Sequence, residues 1–68
     1  MTQGSPVLPA SVRREQIVSI VERQGFARVT ELSRAFQVSE VTIRTDLDAL
    51  AVAHVIERVH GGAVAGHR

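Results

Sequence analysis

The chain has 68 residues, 44% of them hydrophobic and 22% charged, with no cysteine and a formal net charge of +1. A single domain of this size buries roughly 60% of its unfolded surface and leaves no room for an enclosed catalytic cavity, so neither an enzyme nor a cofactor is expected. The lack of cysteine excludes disulfides, thiolate metal sites and a thiol nucleophile together, and no apolar run approaches the roughly 20 residues of a membrane span.

Met1 to Ala10, with two prolines and a glycine among small and polar residues, reads as a flexible tail. It has neither the basic nor the apolar region of a signal peptide, so a cytoplasmic protein is expected. Ser11 is placed to cap a first helix, SVRREQIVSIVERQG, in which Ile17, Ile20, Val21 and Gln24 follow helical spacing and Gly25 is the natural stop. Arg13 and Arg14 near its start read as solvated side chains within reach of a phosphate. Phe26 to Val29 alternates and suits a single β-bridge. Thr30 then caps a second short helix, TELSRAF, with Leu32, Ala35 and Phe36 as its apolar side.

Only Gln37 and Val38 separate that helix from the next, and so tight a connection forces a steep crossing, as in a helix-turn-helix unit. Ser39 is the expected N-cap of a third helix running over 39–53. Ile43, Leu47 and Leu50 fall at i, i+4 and i+7 and form its packing stripe, while Thr42, Arg44, Thr45 and Asp48 point elsewhere. Glu40, Arg44 and Asp48 are spaced by four, which a solvated row of ion pairs would explain without any partner. His54 stands at the C′ position, where a left-handed backbone costs a non-glycine residue about 1 kcal/mol. VIERVHGGAV then reads as a hairpin over 55–65, a wing turning at Gly61-Gly62, with Ile56 toward the core and Arg58 and His60 leaning past the third helix.

VSEVTIRTDL followed by ERVHGGA resembles the amino-terminal winged helix-turn-helix of DeoR-type bacterial transcription repressors, whose pattern is roughly VS-x-x-TIRRDL, an Arg, then HGGA. The resemblance runs from Arg13 to Val64. Thr45 stands where the family has a second Arg, and His54 where it has Gly. The expected fold is therefore mainly α with a small β-hairpin, a three-helix winged helix-turn-helix over 11–65 that binds duplex DNA sequence-specifically, its third helix in the major groove and its wing on the backbone or minor groove. In related domains the residues matching Ser39, Val41, Thr42 and Arg44 face the major groove, and Arg44 is the side chain able to fork onto a guanine. The full expected contact set is Thr30, Ser39, Glu40, Val41, Thr42, Arg44, Thr45, Arg58, His60 and Gly61. A wing tip built on glycines can approach a DNA backbone closely.

The resemblance further implies regulation of sugar or related metabolism genes, and a separate carboxy-terminal domain that senses metabolites and drives homo-oligomerisation. On that reading 66–68 ends the domain or begins a linker, and this segment holds no small-molecule effector site. Charge supports DNA binding only weakly: five arginines and three glutamates through Val38 give +2, whereas three arginines and four acids from Ser39 onward give −1, so the acidic third helix counts against it. Helix N-termini and hydroxyls, which formal charge does not count, also grip phosphates. A winged helix that docks a protein is the competing expectation. His54, His60 and His67 fall in different elements without a fourth ligand, so no metal is expected. Ser33 and Ser39 are accounted for by packing and capping, and no glycine-rich loop follows a strand to cradle a nucleotide.

Overall fold

In the computed structural model, residues 8–66 are described; His67 and most of the amino-terminal tail lie outside them. The element order is α1 (Ala10–Gln24), β1 (Phe26–Arg28), α2 (Val29–Phe36), α3 (Glu40–Val52), β2 (Ile56–Val59) and β3 (Gly62–Ala65). Three helices pack on a three-stranded antiparallel sheet of order β1-β3-β2, the winged helix-turn-helix expected. Ile17 and Val21 of α1, Val29 and Leu32 of α2, Ile43 and Leu47 of α3, and Ala27, Ile56 and Ala63 of the sheet form one buried cluster. Leu50 and Ile20 pack at its edge, while Gln24 is exposed.

Helix α1 starts one residue before Ser11, and no side chain caps it. The Pro9 carbonyl opens the ladder by accepting from the Arg13 N–H at 2.9 Å, so Ser11 falls within the first turn. At the other end Gly25 takes φ 84°, the left-handed conformation that closes a helix.

Helix α2 also begins earlier than expected. Val29, not Thr30, is its first residue, and the Val29 N–H donates to the Gly61 carbonyl at 2.9 Å. The wing tip thus satisfies the first donor of α2, which begins before Thr30, and no side chain caps this helix. The apolar stripe is Val29, Leu32 and Phe36, spaced three and four apart, and Ala35 is exposed rather than buried. Gln37 closes α2 at φ 57°, with the Val38 N–H reaching back to the Ser33 carbonyl at 3.2 Å.

Phe26 to Arg28 is a full strand rather than a single bridge, pairing Phe26, Ala27 and Arg28 with Val64, Ala63 and Gly62. The two wing glycines divide their labour. In the hairpin, Val59 pairs with Gly62, so the connection is His60-Gly61 and not Gly61-Gly62. Gly61 supplies the positive φ of 78°. Gly62 lies in the central strand, where a Cβ would come within 2.1 Å of the Ala27 carbonyl oxygen.

Candidate nucleic-acid interface

The orientation of α3 is set first by its stripe and then by a charge. Ser39 Oγ accepts from the Thr42 N–H at 3.0 Å, the expected N-cap. Ile43 and Leu47 are fully buried, and beside them, on the same stripe, lies Asp46 at 0% exposure. Arg13 and Arg14 are not solvated: Arg13 Nη2 and Arg14 Nε donate to Asp46 Oδ1 at 3.0 and 2.8 Å, and Arg13 Nε to Oδ2. Burial pushes the Asp46 carboxyl up, but the hydrogen bonds and positive charge of the two arginines outweigh it and hold the group below its ordinary range. The same bonds raise Arg13. The signal was in the sequence: Asp46 is three residues after Ile43 and four before Leu50, a core position where an acid demands a partner.

With that face fixed inward, Ser39, Val41, Arg44, Thr45 and Asp48 are exposed and Glu40 and Thr42 half-buried. Val41, 67% exposed, is an apolar side chain presented outward. Ser39 Oγ donates to Thr42 Oγ1 at 3.0 Å, and Thr45 Oγ1 donates to the Val41 carbonyl at 3.1 Å. Thr45 therefore offers an incoming group only its lone pairs. The row of acids and Arg44 does not form as a continuous chain. Arg44 Nη2 pairs with Glu40 Oε1 at 3.0 Å, but Asp48 pairs across to Arg58 of the wing.

Helix α3 ends with Ala53 as its cap and His54 at φ 63°. The Val55 N–H reaches the Leu50 carbonyl at 3.0 Å and the His54 N–H that of Ala51 at 2.9 Å, a Schellman closure on a histidine. His54 is thus a structural residue, distant in sequence from the exposed start of α3.

Between the start of α2, the start of α3 and the wing runs an open groove of about 390 Å³, lined by Val29, Thr30, Glu40, Arg44, Arg58, Val59, His60 and Gly61. Six of the ten expected contact residues thereby share one surface; Ser39, Val41, Thr42 and Thr45 lie on α3 outside this lining. Thr30, freed from capping, stands there in the first turn of α2. Arg58 Nε is buried without a hydrogen-bond partner, a donor whose desolvation is uncompensated. Among the described residues no group of three or more histidines and acids could hold a metal ion, and no helix is long and apolar enough to cross a membrane.

Residues 13–68 match the DeoR-like helix-turn-helix domain. An uncharacterised HTH-type transcriptional regulator of Bacillus subtilis is 50% identical over 52 residues, 76% of this chain and 20% of that protein. The glycerol-3-phosphate regulon repressor of Haemophilus influenzae is 45% identical over 53 residues, 78% of this chain and 21% of the relative. A putative galactitol utilization operon repressor of Escherichia coli is 45% identical over 51 residues, 75% and 46%. The chain thus spans a fifth to under half of these relatives' lengths. No solved structure matches.

Proposed function

The chain belongs to the DeoR-like helix-turn-helix family, and from that premise we propose that it reads duplex DNA as the operator-binding part of a transcriptional repressor. One observation supports this most directly: Thr30, Arg44, Arg58, His60 and Gly61 line one groove beside the exposed face of α3. A helix of α3's width fits the major groove of B-DNA. The neighbouring strand of phosphates then runs along the groove, where Arg58, His60, the Thr30 hydroxyl and the amides of the first turn of α2 supply donors. Ser39, Val41, Thr42, Arg44 and Thr45 face base edges, with Val41 suited to a thymine methyl and Arg44 to guanine O6 and N7.

The regulated genes are those of sugar or related metabolism, as the names of the glycerol-3-phosphate and galactitol repressors suggest by analogy. Because those relatives are longer, the domain over 11–65 works with a carboxy-terminal part that assembles the protein as a homo-oligomer and receives the inducer, in the cytoplasm. The competing reading, a winged helix that docks a protein, draws on the exposed Val41 and Val52.

Fluorescence anisotropy with a labelled mixed-sequence duplex at several salt concentrations separates the two. DNA binding loses affinity linearly in log-log form, with a slope of about −0.9 for each phosphate neutralised. Absence of binding, or affinity indifferent to salt, refutes the DNA reading.

A further inference from the structure

We propose that Glu40 determines sequence specificity: it holds Arg44 back on non-cognate duplex, and on the cognate site accepts a hydrogen bond from an exocyclic amino group of a base. This deepens the DNA-binding reading above and rests on it. The groove beside α3 gathers Arg44, Arg58 and His60, and Glu40 is the one carboxylate in its lining. A surface built solely to hold phosphates gains nothing from an acid at that place. Asp48 does not repeat the role, because it does not line the groove and its carboxylate is bound to Arg58.

The usual reason for an acid in the first turn of a helix is the field of the free N–H groups. Here Ser39 Oγ already accepts from Thr42 N–H, and the hydrogen bond Glu40 makes is to Arg44, Oε1 to Nη2 at 3.0 Å. Both side chains are about half exposed, at 43% and 51%. An exposed pair of this kind shifts an equilibrium only about twofold, so a good base contact displaces it readily.

What Glu40 meets once Arg44 leaves then decides the outcome. An ionised carboxylate only accepts hydrogen bonds. In the major groove the amino groups of cytosine N4 and adenine N6 satisfy it, while guanine O6 and N7, thymine O4 and every phosphate repel it. Four residues of helix rise about 6 Å, less than two base-pair steps at about 3.4 Å each. Arg44 on a guanine and Glu40 on an amino base therefore address pairs no more than about two steps apart.

The test uses the 68-residue chain and its Glu40→Ala and Glu40→Gln variants, each selecting from a duplex library with a randomised core and each titrated against mixed-sequence duplex. Matching thermal melts establish that all three fold. The parent should enrich cytosine or adenine at one position within about two steps of a guanine. Glu40→Ala should lose that preference by about 5- to 150-fold, bind mixed duplex more tightly, and steepen the salt slope by about one phosphate as Arg44 is freed. Glu40→Gln, which keeps an acceptor oxygen without the charge, should share the tighter mixed-sequence binding and retain part of the preference. An unchanged base preference in Glu40→Ala overturns the proposal whatever happens to affinity. A parent that binds no duplex in a salt-dependent way overturns the DNA reading itself, a result visible before any variant is compared.

Discussion

Replacing Asp46 by asparagine removes the clamp that ties α3 to the start of α1 while keeping the side-chain volume. The carboxylate accepts three hydrogen bonds, two from Arg13 and one from Arg14. An amide in its place offers one acceptor and turns an N–H₂ group toward two guanidinium groups. Removing one partner of a buried ion pair costs about 3 to 5 kcal/mol. Arg13 and Arg14 are 11% and 33% exposed, so both can turn partly toward water, which places the loss near the lower figure, about 3 kcal/mol. A chain of this length has a total stability of about 3 to 10 kcal/mol, so the variant should forfeit from about a third to nearly all of it.

Urea unfolding followed by circular dichroism measures that loss directly, and acid titration measures its origin. The folded Asp46 carboxyl sits below its ordinary value of 3.8, because the Arg13 and Arg14 bonds outweigh desolvation. A depressed carboxyl stabilises the fold above its unfolded pKa, and that contribution disappears as pH falls through the folded pKa. The parent should therefore lose stability on acidification below about pH 4, and Asp46→Asn should lack this component. A variant whose urea midpoint and acid limb both match the parent's would show that the arginines contribute nothing to holding α3 in place.

Arg44→Ala should weaken binding to a selected site by about 1 to 3 kcal/mol and blur discrimination, whereas Arg58→Ala should weaken binding to most sequences alike and flatten the salt slope by about one; anisotropy titrations on selected and mixed duplexes distinguish them. His54→Gly should raise stability by about 1 kcal/mol, since it relieves a left-handed backbone at φ 63°, and a thermal melt reads the gain. Gly62→Ala should cost about 1 to 3 kcal/mol or more through the clash with the Ala27 carbonyl, with amide exchange accelerated first in β1. Gly61→Ala, which meets open space, should cost only the strain of its φ of 78°.

Local signals in the sequence fared well where the chain's own neighbours decide the structure. Ser39 capping α3, Gly25 and His54 closing helices in the left-handed region, and the Ile43, Leu47, Leu50 stripe are all determined within a turn or two. What periodicity could not supply were partners brought from afar. Thr30 is a good cap by type, but α2 begins at Val29, whose N–H is held by the Gly61 carbonyl, more than 30 residues away in the wing, so Thr30 falls inside the helix. Gly62 looked like half of a turn because only the approach of β1 makes its missing Cβ necessary. Gln37 gives no compositional hint of its left-handed backbone, since glutamine is an ordinary helix former.

Formal charge misleads for the same reason. Summing from Ser39 onward gives −1, yet the three acids of α3 occupy three different environments. Asp46 is inside, neutralised by two arginines that the same sum had credited to the other half of the chain. Asp48 holds Arg58, which fastens the wing to α3 and places its guanidinium beside the groove. Glu40 alone remains among the groove's cations. An acidic helix is thus compatible with a basic contact surface when its acids are divided between the core and the wing. The potential a phosphate meets is then set by Arg44, Arg58, Glu40 and the first-turn amides of α2 over distances shorter than the roughly 10 Å of ionic screening, and the formal charge of α3 is a poor guide to it.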